Sequence, residues 1–146
     1  SRAPDVGGPA LHPTAGATAV GVRKFLIAYN INLDTADVRI ARRIAGKIRA
    51  SSGGFPHVKA LGLELASRRQ AQVSMNLTDY EATPVECVFE AVEAEAARCG
   101  VGVASSEIIG FIPRRAYEMA PGFYERAANF RPELILENRL AALRLK

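Results

Sequence analysis

Histidine, cysteine and tryptophan are scarce in this chain, and each scarcity closes a class of chemistry. Tryptophan is absent, cysteine and histidine occur twice each, and aromatic residues fill 7% of 146 positions. Two isolated histidines, His12 and His57, and two distant cysteines match no metal-ligand spacing, so no metal is expected. Cys87 and Cys99 fall on one predicted helix about 18 Å apart along its axis, too far to bridge each other. Reduced thiols are the expectation. There is no G-x-S-x-G elbow, and neither cysteine reads as lying at a helix N-terminus, so no catalytic nucleophile or other catalytic residue is assigned. No stretch reaches the roughly 18 apolar residues of a membrane span, and no signal-peptide pattern opens the chain, which points to a soluble cytoplasmic protein. Charge is not concentrated either. The formal net charge is +4, and the chain lacks both a dense Lys/Arg stripe and the aromatic strand that stacks RNA bases.

What is present suffices for one core. A chain of this length buries about two thirds of its unfolded surface without disulfide or metal support, and its 49% hydrophobic content is ordinary for a globular domain. The chain opens on Ser1-Arg2 without methionine, as a processed end, an expression scar or a cut within a longer polypeptide would. Residues 1–16, with Pro4, Pro9 and Pro13 among glycines and no periodicity, read as a linker; residues 17–146 read as the domain.

Phe25 to Leu33 is aromatic and β-branched and predicts a strand, with Ala17 to Arg23 as its hairpin partner or its continuation. Asp34-Thr35 starts a helix whose Ile40, Ile44 and Ile48 form one stripe, ended by Ser51-Ser52-Gly53-Gly54. Val58 to Ala66 and Gln72 to Leu77 read as a hairpin turning at Arg68-Arg69. Thr83-Pro84 opens a second helix with Val85, Val88, Phe89, Val92, Ala96 and Cys99 inward, stopped by Gly100. A strand follows from Val101 to Ala104 and onward through Glu107 to Phe111. Past Pro113 the expectation is helical, from Arg114 to Met119, then a break at Pro121-Gly122, and again a helix from Glu137 to Leu145.

The order strand, helix, strand, strand, helix, strand predicts an α+β fold, the ferredoxin-like βαββαβ plait. Its mixed or antiparallel sheet would carry helices on one face and leave the other open to a partner sheet. The basic outer side of the first helix (Arg39, Arg42, Arg43, Lys47, Arg49) and the acidic outer side of the second (Glu86, Glu90, Glu93, Glu95) read as neighbours that pair loosely.

Polar side chains on strands are the feature left over. Thr18, Asn30, Asn32, Gln72, Ser74 and Asn76, with Ser106 and Glu107 behind them, are costly for a core, since a buried unpartnered group costs about 1–3 kcal/mol. Alternation sets Gln72, Ser74 and Asn76 on one face of a strand and Val73, Met75 and Leu77 on the other. Added to Arg23, Lys24 and Lys59, such a row suits an elongated ligand bearing amides, a heterocycle and carboxylates. The alternative is an edge strand facing solvent; for His12 it is an exposed loop histidine.

Four ordered segments, HPTAGATAVGVRKFLIAYNINLDT, GGFPHVKALGLEL, QVSMNLTDYEATP and SEIIGFIPRRA, resemble the C-terminal half of the formiminotransferase domain found in glutamate formimidoyltransferases and formiminotransferase-cyclodeaminases. The resemblance runs from about Asp5 to beyond Ala116. It implies transfer of the formimino group from N-formimino-L-glutamate to N5 of tetrahydrofolate, a step of histidine degradation feeding one-carbon metabolism. In that family two α/β subdomains press their sheets together around a charged folate tunnel, so the implied partners are an N-terminal subdomain, in the same or a separate chain, and the two substrates. The family's folate-contacting linker matches Gly7, Gly8, Pro9, Ala10, Leu11, His12, Pro13, Thr14, Ala15 and Gly16. The substrate-binding set is therefore these ten with Arg23, Asn30, Gln72, Ser74 and Asn76.

Two departures stand out. The family's catalytic histidine belongs to the N-terminal subdomain and its motif is absent, so neither His12 nor His57 inherits the role. Relatives often carry basic residues where Pro9-Ala10 stand here. The rival reading is a non-catalytic plait that senses a small anion and forms a homo-oligomer through its sheet. Neither nucleic acid nor membrane is an expected partner.

Overall fold

The computed structural model describes residues 3–144. Four strands, β1 (Ile27–Leu33), β2 (Val58–Leu65), β3 (Gln70–Leu77) and β4 (Val103–Ile109), form one sheet in the order β2-β3-β1-β4 with every neighbouring pair antiparallel. The helix α1 (Val38–Ile48) lies between β1 and β2, and α2 (Val85–Arg98) between β3 and β4. The expected α+β class and antiparallel sheet are therefore present. Beyond β4 come α3 (Arg114–Met119), at the bounds expected, then α4 (Pro121–Tyr124) and α5 (Leu136–Arg144). Pro121-Gly122, read as a break, instead opens α4, since proline suits the first position of a helix, and Leu145 lies outside the described residues.

Register sorts the strand residues into two faces. Ile27, Tyr29, Ile31 and Leu33 stand opposite Leu77, Met75, Val73 and Ala71, and all eight are buried. Against them pack Ala41, Ile44, Ala45 and Ile48 of α1 and Val85, Val88, Val92 and Ala96 of α2. The stripe at intervals of four in α1 is what binds it to the sheet. Its start lies later than expected, because the Asp37 carboxylate, not Asp34 or Thr35, accepts from the Arg39 N–H at 2.9 Å. Gly62 of β2 lets α1 come close: a Cβ there would lie 2.5 Å from backbone atoms of Ala41 and Arg42. Outside the core, Lys47 pairs with Glu95 at 2.5 Å, as the opposite signs of the two helices suggested.

The short helices cap the core. Phe123 stacks on Tyr29 with ring centres 5.4 Å apart and meets Phe89 edge-on. The outer edge of β4 is occupied: the Asn129 side chain accepts from the Ile108 N–H at 2.9 Å and donates to the Ile108 carbonyl at 2.7 Å, while the Ala128 N–H reaches the Ser106 carbonyl at 2.8 Å.

Two expectations fail at the start of the chain. Among the described residues no hairpin partner precedes β1, and residues 17–26 do not extend it. β1 is central, with β3 on one side and β4 on the other, so no edge remains for a third neighbour. Val20 and Val22 are fully exposed and find no face to bury. Cys87 corrects another reading, since it sits in the first turn of α2. Its thiol is nonetheless pushed up, first by burial and then by Glu86 and Glu90, which opposes thiolate formation.

Candidate functional site

The face of the sheet away from α1 and α2 is bare. Leu61 is 61% exposed, Leu63 40% and Ile109 47%, and Lys59 and Asn76 are exposed beside them. Register places these residues in rows across the strands: Lys59, Asn76, Ala28 and Ile109; then Leu61, Ser74, Asn30 and Glu107; then Leu63, Gln72, Asn32 and Ser105. Four sequence-predicted residues, Asn30, Gln72, Ser74 and Asn76, thus share one face on two adjacent strands.

The lower rows form a connected network. Gln72 Nε2 donates to Asn32 Oδ1 at 2.8 Å and to Glu107 Oε1 at 3.0 Å. Asn32 Nδ2 donates to Ser105 Oγ at 3.0 Å, and Asn30 Nδ2 reaches Glu107 Oε1 at 3.4 Å. Asn32 and Gln72 are only 2% and 3% exposed, so these bonds keep otherwise costly amides satisfied. Among the described residues Glu107 has no cationic partner, and its second oxygen accepts no hydrogen bond. Ser106 behaves differently from its neighbours. It faces the core and shares a hydrogen bond with the Tyr29 hydroxyl at 2.8 Å, and burial raises the Tyr29 pKa.

Glu107 is the hub that the sequence-predicted site set omitted. Ser105, Ser106 and Glu107 are all polar, so alternation could not say which point outward; only the pairing of Glu107 with Asn30 settles it. A hollow of about 510 Å³ opens at the β2 side of the bare face, lined by Arg49, Ser51, Lys59, Leu61, Ser74 and Asn76 among others. In the sequence Arg49 reads only as part of the basic outer side of the first helix and Ser51 as part of its stop, so neither enters the predicted site set.

The Gly7–Gly16 segment lies elsewhere. His12 and Gly16 close a small turn by reciprocal backbone bonds of 3.3 and 3.0 Å. Inside it, His12 Nδ1 accepts from the Ala15 N–H at 3.1 Å and the Thr14 N–H at 3.4 Å. Positive φ at Gly7, Gly8 and Gly16 permits the bends. Residues from Ala3 to Val20 enclose a hollow of about 960 Å³ to which no strand residue contributes. The segment is rooted by Lys24, which pairs with Asp79 at 2.8 Å and Glu81 at 3.2 Å; those hydrogen bonds raise the lysine's pKa, and the Lys24 bond lowers that of Asp79. Arg23 turns its guanidinium to the Lys24 carbonyl at 3.1 Å. Neither the segment nor Arg23 is brought into the Asn30–Gln72 network.

These features define the class: an α+β domain that presents a bare, partly polar sheet face beside a cationic hollow. The formiminotransferase domain model matches residues 28–142, and the chain belongs to that family. It is 45% identical over 139 residues to the glutamate formimidoyltransferase of Streptococcus pyogenes serotype M1, covering 94% of this chain and 46% of that protein. It is 42% identical over 133 residues to the glutamate formimidoyltransferase of Thermoplasma acidophilum, covering 91% and 44%. The formimidoyltransferase-cyclodeaminase of Gallus gallus is 41% identical over 127 residues, 83% of this chain and 23% of that protein. The chain spans less than half the length of these curated relatives.

Proposed function

We propose that this chain is the folate-binding C-terminal half of a glutamate formimidoyltransferase, a ferredoxin-like plait acting in the cytoplasm. The reaction moves the formimino group from N-formimino-L-glutamate to N5 of tetrahydrofolate. A bond forms from N5 to the formimino carbon as the bond from that carbon to the glutamate nitrogen breaks, and the proton released by N5 is balanced by one taken up by the departing amine. The observation that carries the reading is the bare face itself. An exposed apolar border of Leu61, Leu63 and Ile109 around satisfied amides is the form of a surface awaiting a covering layer and a ligand.

The N-terminal half, in the same or a separate chain, supplies that layer and the proton-transferring group. Asn30, Ser74 and Asn76 face the ligand, and the buried Gln72 acts from behind them by holding Glu107. The Gly7–Gly16 turn and Arg23 reach it only once the two halves close, since in this chain they stand apart from the row. His12 and His57 carry no catalytic role.

The test is reconstitution. The chain is combined with the N-terminal half of the same polypeptide, and formimino transfer and tetrahydrofolate binding are measured. Activity in the mixture that neither half gives alone supports the reading. A stable homodimer that buries the bare face and ignores the N-terminal half would support instead a small-anion-binding regulatory plait.

A further inference from the structure

The bare face has opposite charge at its two sides. Lys59 and Arg49 stand at the β2 side without a carboxylate partner among the described residues, and the unpaired Glu107 carboxylate stands toward β4. Three strand spacings, about 14 Å, separate β2 from β4. Arg49 is steadied by its Nε–H, which donates to Ser52 Oγ at 2.7 Å and leaves the terminal guanidinium nitrogens to donate elsewhere. Ser51, Ser74 and Asn76 add neutral hydrogen-bonding groups to the same 510 Å³ hollow. Two free cations among hydroxyls and an amide, with Leu61 as an apolar wall, suit the paired carboxylates at the end of a longer molecule.

We infer that this hollow is a subsite for glutamyl carboxylates, and that it fixes the direction in which the ligand crosses the sheet. This rests on the proposed function, whose two substrates both end in a glutamyl group. The carboxylates lie at β2 between Lys59 and Arg49, and the nitrogen-rich end extends toward Glu107. Covering of the face by a second layer excludes water and strengthens both contacts. An uncompensated cation would be costly once covered, which is why the hollow needs an anionic occupant.

The experiment uses the native polypeptide that carries this chain. Binding of tetrahydrofolate is compared with that of tetrahydropteroate, which lacks the glutamate, and the KM for formiminoglutamate is measured alongside. In Lys59→Gln and Arg49→Gln, affinity for at least one glutamyl substrate falls about tenfold while tetrahydropteroate binding stays unchanged, and Lys59→Arg restores most of the loss. A change confined to tetrahydrofolate assigns the hollow to the acceptor, and one confined to the KM of formiminoglutamate assigns it to the donor. A flat response of both, with tetrahydropteroate still bound, overturns the subsite and leaves the proposed function standing. An equal loss of tetrahydropteroate affinity also overturns it. Failure of the unaltered protein to bind either pterin removes the functional reading and the subsite together.

Discussion

Gly62→Ala tests the packing that holds α1 on the sheet. Gly62 lies in β2 opposite Val73, and a Cβ at this position would meet the backbone of Ala41 and Arg42. Ordinary carbon contacts begin near 3.5 Å, so the helix or strand must withdraw by about 1 Å. No side chain can swing aside, since the obstacles are main chain. Overpacking of this kind costs about 3 kcal/mol. Alanine recovers about 0.7 kcal/mol by restricting the unfolded chain. The net loss of about 2 kcal/mol lowers Tm by about 6 °C for a chain of this size. The assay is urea and thermal unfolding followed by circular dichroism, with Gly46→Ala as control. Gly46 lies inside α1 with open space where its Cβ would go, and this substitution raises stability by about 0.5–1 kcal/mol. A Gly62→Ala protein as stable as the parent would refute the close approach of α1 and β2.

Other outcomes follow from single contacts. Tyr29→Phe leaves the buried Ser106 hydroxyl without its partner and lowers stability by about 1–2 kcal/mol in denaturant melts, while Ser106→Ala in the same background recovers part of the loss. The Asp37 carboxyl, held by the Arg39 side chain and then by its backbone N–H, is lowered from 3.8 to about 2. Because the folded pKa is depressed, its contribution is full above the ordinary carboxylate range and vanishes as pH falls through about 2. The Tm gap between the parent and Asp37→Ala therefore closes over that window. Asn76→Ala, at an exposed position on the bare face, weakens tetrahydrofolate binding in the reconstituted enzyme severalfold with an unchanged melting curve. Unchanged affinity would remove Asn76 from the site.

The sequence made strand and helix order legible because each element carries its own period. Ile44 and Ile48 marked the buried side of α1, and the alternation from Gln72 to Leu77 separated amide face from core face. Where the period was interrupted, local reading lost its footing. Three consecutive polar residues from Ser105 to Glu107 hid the parity of β4, so Ser106 was placed with the polar set although its hydroxyl meets Tyr29 in the core. Phe25 and Val22 looked like strand residues, yet a strand needs a free neighbour, and both sides of β1 are taken by segments some forty to eighty residues away. The cationic hollow was hidden for the same reason. Arg49 and Lys59 come from different elements, and only the fold brings them to one opening.

The Asn129 amide gives the sheet a closed end. By satisfying both backbone groups of Ile108, a single side chain imitates a neighbouring strand without being one, and the Ala128 N–H takes the next carbonyl along. A strand from another molecule arriving at β4 would find those positions filled. Lateral growth of the sheet is therefore possible at β2 alone, so any chain exchange or edge-to-edge aggregation in this protein has one direction and cannot propagate as a continuous ribbon.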